Sequence, residues 1–245
     1  MSNKPLYFIS DNHFKIDVTP YEKKRRNYLY KVFEKIKTTG GTLIIGGDFF
    51  DFWFYYPHMV PPGYADLMEE LCMLNDSGVL IHFVLGNHDY WDFGYFKKKF
   101  NAMVHSENLE IEENGSNFQV CHGDGLLKND VGYRFMKKII RSKICIFLFQ
   151  NLHANWGYSI AKKISKTSEH YHHDGKSEAI RTEMLEYARS QWNIGYKTVL
   201  LGHYHQTGLI EENGNLLIFM GDWLHHFTVT RFDENGWWQG RWDEL

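Results

Sequence analysis

The 245-residue chain has little of what marks exported or membrane-spanning proteins. Its three cysteines, Cys72, Cys121 and Cys145, are widely spaced and include no Cys-x-x-Cys pair, which argues against a disulfide framework or a thiolate zinc site and favours a reducing compartment. The longest fully apolar run, Ile144 to Phe149, is far shorter than the roughly 20 residues that span a bilayer. The first residues show no signal-peptide pattern. We therefore expect a cytoplasmic protein, either soluble or lying on a membrane surface.

An excess of charge of one sign is also missing. The chain has 27 Lys and Arg against 30 Asp and Glu, a formal net charge of −3, so nothing in its charge indicates a nucleic-acid partner, and no obligate protein partner is evident. With only 5 prolines and 43% hydrophobic residues, it has the composition of an ordinary folded protein rather than a disordered one. Two residue classes are abundant: 14 histidines and 17% aromatics. Their arrangement therefore decides the interpretation.

The first part of the chain alternates strands and helices. Strands are predicted at 6–10, 42–46 and 79–85, with a helix at about 64–75. Another helix should run from a Thr19 cap, with Pro20 in its first turn, to the Gly40-Gly41 stop, with its lysines and arginines on the face opposite the apolar one. This βαβαβ order predicts a mostly parallel sheet with right-handed crossovers.

After about residue 108 the pattern changes to short strands separated by Asn-Gly turns. These strands are predicted at 109–112, 118–122, 209–212, 216–220, 228–232 and 237–242, and they indicate a second, antiparallel or mixed sheet. Between them lies a helical insert at approximately 130–191. Because no flexible linker or internal repeat is evident, we expect one domain over residues 1–245 with this insert as a helical cap.

Five short segments place acidic, amide and imidazole side chains directly after predicted strands. Loops at the carboxyl ends of strands are where open α/β sheets bind ligands, so these segments should meet in space. Each segment alone could be an ordinary turn, but all five in order indicate ligands for manganese, iron or zinc. Seven ligands drawn from these five segments are too many for one ion, and they suit two ions that share a carboxylate. The segments are Asp11-Asn12-His13, Gly47-Asp48-Phe49-Phe50-Asp51, Gly86-Asn87-His88-Asp89, His122-Gly123-Asp124 and Gly202-His203-Tyr204-His205.

The order of these motifs, from Asp11 to His205, resembles the calcineurin-like metallophosphoesterase superfamily. The resemblance implies a mixed α/β (α+β) fold, a four-layer αββα sandwich with a helical cap. It also implies that Asp48 bridges two ions, that His88 faces the phosphate as general acid or charge stabiliser, and that Asp89 orients the His88 ring. The other ligands of one ion would be Asp11, His13 and His205, and those of the second ion Asn87, His122 and His203.

Three further stretches resemble the UDP-2,3-diacylglucosamine hydrolases of lipid A biosynthesis. They are the aromatic-rich Gly47 to Trp53, His122 to Leu126 with its downstream acidic and tyrosine residues, and Gly221-Asp222-Trp223. This resemblance implies substrate contacts from Asp130, Tyr133, Ser168, His173 and Lys176. The chain departs from the family pattern in two places. His88 stands where many members have arginine, and the polar segment 165–177 differs from the family's substrate-binding pattern.

The activity implied is a pyrophosphohydrolase that uses two divalent ions, manganese above iron or zinc. Water attack at the α-phosphate of UDP-2,3-diacylglucosamine would release UMP and 2,3-diacylglucosamine 1-phosphate (lipid X). Two alternatives remain. One is a general phosphodiesterase or phosphomonoesterase acting on a nucleotide or phosphoprotein. The other is a metal-free scaffold, which is disfavoured because no ligand is missing from the motifs.

The insert combines apolar and basic residues. Phe135, Met136, Ile139, Ile140 and the run 144–149 are interleaved with arginines and lysines. A segment of this kind is typical of peripheral binding to an anionic surface such as the cytoplasmic face of the inner membrane, or of a channel for acyl chains. The residues alone leave open a simpler arrangement, in which the apolar side packs against the sandwich.

Overall fold

A computed structural model describes residues 4–56, 60–113, 115–152 and 177–245. Its strands are β1 Leu6–Ile9, β2 Thr42–Ile45, β3 Leu80–Val84, β4 Met103–His105, β5 Leu109–Glu113, β6 Ser116–Cys121, β7 Thr198–Leu201, β8 Thr207–Glu212, β9 Asn215–Met220, β10 Thr228–Asp233 and β11 Gly236–Arg241. Its helices are α1 Pro20–Thr39, α2 Ala65–Asp76, α3 Tyr95–Phe100, α4 Val131–Ile140, α5 Lys143–Gln150 and α6 Ser177–Trp192.

The strands form two sheets, which confirms that part of the sequence interpretation. The first has the order β11-β10-β1-β2-β3-β4 and the second β5-β6-β7-β9-β8. The predicted division of the sheets near residue 108 is wrong, because β10 and β11 return to the first sheet, where β10 runs antiparallel to β1. All four residues of β1 are buried, so β1 needs a partner strand on both sides.

Three apolar cores separate four layers, and the αββα arrangement is therefore confirmed. Helices α1 to α3 cover the outer face of the first sheet, with Leu29 and Phe33 of α1 fully buried. Phe8 and Ile218 belong to the core between the sheets. Met184 of α6 packs against the outer face of the second sheet. Helix α6, which the sequence placed at the end of the insert, thus forms the fourth layer.

Helix α1 begins and ends where the sequence predicts. The Thr19 hydroxyl accepts a hydrogen bond from the Glu22 amide at 3.2 Å, and Gly40 ends the helix with φ of 70°. The polar face, however, is not as predicted. Arg25 and Arg26 are each only 1% exposed, because their guanidinium groups donate to backbone carbonyls of the loop that follows β1.

Helices α4 and α5 form the described part of the cap. Neither helix contains a buried residue. An apolar surface, here called the cap face, therefore points away from the sandwich. It consists of Val131, Phe135, Met136, Ile139, Ile144, Phe147 and Leu148, with exposures from 48% to 75%. Within the described ranges, no helix is both long enough and apolar enough to cross a bilayer.

Candidate metal centre

The loops that carry the five motifs lie together at the carboxyl ends of parallel strands. Strands β1, β2 and β3 are parallel neighbours in the first sheet, and β6 and β7 in the second. Backbone hydrogen bonds join the first two loops, from the Asp11 amide to the Gly47 carbonyl at 3.0 Å and from the His13 amide to the Asp48 carbonyl at 2.9 Å. Segments distant in the chain thus share one crevice.

Asp11, His13 and His205 form the first cluster. The Nε2 atoms of His13 and His205 are 3.2 Å apart, and His205 Nε2 lies 3.5 Å from Asp11 Oδ1. The Asp11 carboxylate also accepts hydrogen bonds from the Ser10 hydroxyl and the His203 amide. These bonds hold the carboxylate in a fixed orientation.

Asp48, His122 and His203 form the second cluster, beside Asn87. His122 Nε2 lies 3.2 Å from Asp48 Oδ2 and 3.1 Å from Asn87 Oδ1. Its Nδ1 is 3.0 Å from the Gly46 carbonyl, which leaves Nε2 as the atom facing the cluster. In each of the two clusters, one ligand atom from every residue lies within 4.8 Å of the others.

Asp48 lies between the two clusters. Its Oδ2 atom is 3.2 Å from His122 Nε2 and 3.7 Å from His13 Nε2, while Oδ1 accepts the His88 amide at 2.8 Å. A carboxylate in this place can contact an ion in either cluster. The ligand set remains a prediction. It requires a carboxylate within reach of both clusters, and Asp48 has that position.

The electrostatics of the clusters suit a bound cation. Burial would raise the pKa of Asp48, but the neighbouring imidazoles, His122 foremost, hold the pKa well below its usual range. Burial lowers the pKa of His13 well below its usual range and lowers that of His203 to about 4. Burial also opposes a charge on the other two imidazoles, but Asp48 raises the pKa of His122 to about 10 and Asp11 raises that of His205, so a bound cation would take the place of protons there. Ionised carboxylate and neutral imidazole are the forms that bind metals. Together with the facing Nε2 atoms, this donor set fits hard or borderline divalent ions.

The backbone is strained at the same positions. Asp11, His13, Asp48, His203 and His205 have φ between 45° and 64°, a region that residues other than glycine rarely adopt. Strained non-glycine residues concentrate at functional sites, where the surrounding structure imposes them. The clustering of five such residues is therefore independent support for a functional site here.

Two motif glycines let the loops approach each other. A Cβ atom at Gly86 would lie 2.1 Å from Asp48 Oδ1, and one at Gly202 would lie 2.3 Å from Ser10 Oγ. Any larger residue would push the Asp48 or Asp11 carboxylate out of place. Glycine at these two motif positions is thus explained by space.

His88 and Asp89 do not interact as predicted. The Asp89 carboxylate accepts the amides of Gly86 at 2.8 Å and Phe49 at 2.7 Å, so it holds two loops together, and its predicted role of orienting the His88 ring is wrong. Burial and the Asp48 charge raise the Asp89 pKa to about 7. The His88 ring is oriented by the Asp51 carbonyl, 2.5 Å from Nδ1.

The predicted substrate-binding residues are only partly described. Tyr133 donates to Asp124 Oδ2 at 2.9 Å, and its ring centroid lies 6.2 Å from that of His203. Asp130 lies at the start of α4, where its carbonyl accepts the Arg134 amide. Tyr133 is thus beside the second cluster, whereas Asp130 is at the base of the cap. The predictions for Ser168, His173 and Lys176 lie outside the described residues.

Sequence reasoning missed the residue that supports the first cluster from behind. The buried guanidinium of Arg25 donates to the Trp223 carbonyl at 2.9 Å and to the carbonyls of Asn12 and His13. Glu22 neutralises it at 2.6 Å. A signal was present, because Arg25 precedes Leu29 by four residues and so falls on the apolar stripe of α1.

The Arg25→Lys variant should bind metal more weakly at the first cluster. Lysine keeps the charge but lacks the planar fork that reaches several carbonyls, and loss of such support typically costs about tenfold in metal affinity. Manganese titration by calorimetry would measure the effect. Arg26→Lys is the matched control, because Arg26 instead contacts the carbonyls of Lys15 and Gly63. Equal affinities in the two variants would contradict the role of Arg25.

Two adjacent clusters of carboxylate and imidazole donors, joined by one carboxylate at the strand ends of an αββα sandwich, are typical of metal-dependent phosphoesterases. The family comparison agrees with this class. Residues 4–207 match the family model described as calcineurin-like phosphoesterase, and the chain belongs to that family. The membership implied by the motif order is thereby confirmed.

Similar curated proteins are named UDP-2,3-diacylglucosamine hydrolase. The one from Porphyromonas gingivalis is 26% identical, covering 93% of this chain and 94% of its own. The one from Neisseria meningitidis serogroup B is 28% identical, covering 95% and 96%. The one from Pseudomonas syringae pv. tomato is 27% identical, covering 81% of both chains.

Solved structures with a similar chain trace include two phosphoesterases. A novel archaeal phosphodiesterase aligns with a TM-score of 0.48 and 15% identity, covering 96% of this chain and 98% of its own. The phosphoesterase Yfce from E. coli aligns with a TM-score of 0.47 and 14% identity, covering 94% and 88%.

Proposed function

We propose that this phosphoesterase hydrolyses UDP-2,3-diacylglucosamine to UMP and 2,3-diacylglucosamine 1-phosphate, by water attack at the α-phosphorus. The bond broken joins that phosphorus to the oxygen that bridges the two phosphates. The attacking oxygen therefore leaves with UMP, and the bridging oxygen leaves with the lipid phosphate. The observation that carries the proposal is the position of the cap face beside the candidate metal centre.

The cap reaches the centre through its polar side. Lys137 Nζ lies 2.6 Å from Asp124 Oδ2, and Tyr133 donates to the same carboxylate. Asp124 follows His122 by two residues, so α4 is held directly at the second cluster. The side of α4 away from this anchor carries Phe135 and Ile139, both about half exposed or more.

The simpler arrangement, with the apolar side of the insert packed on the sandwich, does not occur in α4 and α5. Phe147 is 63% exposed and Ile144 75%. Phe149, in contrast, turns inward to aromatic rings, with its centroid 4.6 Å from that of Phe54. A contiguous outward apolar surface marks an interaction site, and acyl chains fit it.

The names of the similar proteins support the same substrate. These relatives cover nearly the whole chain rather than the catalytic sandwich alone. The exposed cap face also suits peripheral contact with the cytoplasmic face of the inner membrane, where a lipid nucleotide would be found. We therefore include that location in the proposal.

The residues of the chain divide the work as follows. Two divalent ions, with manganese proposed, would supply neutralisation of phosphoryl charge and activation of the attacking water. Asp48, whose carboxylate lies near both clusters, would hold both ions. The His88 Nδ1 proton is held by the Asp51 carbonyl, which leaves Nε2 to exchange a proton or donate to a phosphate oxygen. The cap face would bind the acyl chains away from water.

The reaction is tested by hydrolysis of the lipid nucleotide in ¹⁸O-labelled water with manganese. We expect UMP as the nucleotide product and the label in UMP. Label in the sugar phosphate would contradict attack at the α-phosphorus. Hydrolysis of an aryl phosphodiester without any release of UMP would favour the general phosphoesterase instead.

The lipid part of the proposal is tested by substitutions on the cap face. Phe135→Ser with Phe147→Ser should lower the ratio of kcat/KM for the lipid nucleotide to kcat/KM for the aryl phosphodiester by about tenfold or more, since burying a phenylalanine is worth about 1.5–3 kcal/mol. Ile194→Ser is the control, because Ile194 is 72% exposed but follows α6. The same ratio in all three proteins would exclude the cap face as the acyl site.

A further inference from the structure

One cation of the cap, Arg141, lies at the edge of the candidate metal centre, where its side chain donates no hydrogen bond to any described residue. Arg141 follows α4 directly, and its guanidinium carbon lies 3.6 Å from the centroid of the Tyr90 ring. Its Nη2 atom lies 3.8 Å from Asp124 Oδ2, beyond hydrogen-bond distance. The Arg141 side chain is 19% exposed. A cation is thus fixed by stacking at the edge of the crevice.

The two contacts of Arg141 locate it relative to the clusters. Tyr90 follows His88 by two residues in the loop after β3, and Asp124 follows His122 by two residues in the loop after β6. The guanidinium therefore lies between the two loops that supply Asn87 and His122. This is the side of the centre that the cap covers.

The nearby acid does not use the donors of Arg141. Lys137 neutralises Asp124 at 2.6 Å, and the Tyr133 hydroxyl occupies the same oxygen. Across the described ranges, no acceptor takes a hydrogen bond from the Arg141 side chain. Arg134 lies seven residues earlier, in α4, and differs from Arg141. It donates to three backbone carbonyls of the segment 125–128. Arg134 is structural, whereas Arg141 keeps its planar fork available.

A partly buried guanidinium with unused donors favours a bidentate anion, and phosphate matches its fork. We propose that Arg141 binds the second phosphate of a nucleoside diphosphate group, the one that leaves with the lipid. This inference rests on the proposed function, because it assumes a diphosphate whose first phosphate occupies the metal centre. The cap side suits the second phosphate, since the cap face lies on the same two helices.

The test compares UDP with UMP, which differ by that phosphate. Binding is measured by calorimetry on the full chain, with saturating manganese in both solutions. We expect the wild-type protein to bind UDP more tightly than UMP, and Arg141→Met to reduce this preference by about tenfold to a hundredfold, the range of a charge-assisted bidentate contact. Arg141→Lys should retain only part of it, because lysine does not stack on Tyr90 in the same way.

Lys138→Met is the matched control, since Lys138 is the exposed cation three residues earlier and its loss changes the net charge equally. We expect its preference for UDP to equal that of the wild type. The same UDP preference in Arg141→Met, or no preference in the wild type, would overturn the inference. Failure of the proposed function would show in a different measurement. The protein would then release no UMP from the lipid nucleotide, while the wild type would still prefer UDP and Arg141→Met would still lose that preference.

Discussion

Asp48→Asn is expected to lower phosphoester hydrolysis by roughly three orders of magnitude or more, the largest effect of any single substitution in this chain. The reason is position. Asp48 Oδ2 lies 3.2 Å from His122 Nε2 and 3.7 Å from His13 Nε2, so one carboxylate serves both clusters. Asparagine retains the shape but loses the charge that would offset two cations in the proposed site, so both metals should be lost or bound far more weakly.

The decisive measurement is the number of manganese ions per chain, by elemental analysis after dialysis, alongside the rate. Asp92→Asn is the control, because Asp92 is 2% exposed and its carboxylate accepts the amides of Gly94 and Phe96 at the start of α3. Asparagine has one acceptor oxygen for these two amides, so that variant should lose about 1 kcal/mol of stability but keep its metals. Two ions retained by Asp48→Asn would contradict the bridging role.

His88→Gln is expected to keep both metals and to lower kcat by about a hundredfold, the usual contribution of a positioned general acid or base. The backbone amide of His88 donates to Asp48, and glutamine preserves that bond. What disappears is the imidazole, whose Nδ1 faces the Asp51 carbonyl and whose Nε2 is free to act on a phosphate oxygen. In this variant kcat should therefore fall while the number of bound metal ions per chain stays unchanged.

His82→Gln provides the matching control for a histidine outside the crevice. His82 lies in β3 with its Nδ1 atom 3.0 Å from His105 Nε2, on the neighbouring β4, and should leave kcat unchanged. His88 also belongs to a third group of metal-ligating side chains, with His13 and Asp51. Loss of an ion in His88→Gln would show that His88 is a ligand and would replace its predicted role.

Local signals in the sequence predicted individual elements well. Helix α1 begins after Thr19 and ends at Gly40, as predicted, because capping depends on residues within one turn. Six of the strands after residue 108 were also anticipated, since alternation and Asn-Gly turns are local, whereas β7 was not, because it is a short, fully buried run without alternation. The sheet that receives β10 was not, because its pairing with β1 joins residues more than 200 positions apart. The need for a partner strand on the free edge of β1 determines that β10 joins the first sheet.

The same division applies to charged residues. Arg25, Glu22 and Arg26 look like a solvated helix face from composition, yet all three are buried. The two guanidinium groups donate to carbonyls of distant segments, and the Glu22 carboxylate accepts from both of them. Asp89 follows His88 in the chain, but its carboxylate points to the amides of Gly86 and Phe49. Adjacency in sequence did not decide which partner it takes.

The sequence by itself determined the chemistry of this protein: carboxylate, amide and imidazole side chains at strand ends, in an order that defines the family. Each motif spans at most five residues, so its residue types can be recognised without the fold. Only the tertiary structure decided how the motifs are supported and what surrounds them. The burial of Arg25, the stacking of Arg141 on Tyr90 and the outward cap face depend on contacts between elements far apart in the chain, whose free energies no local pattern records.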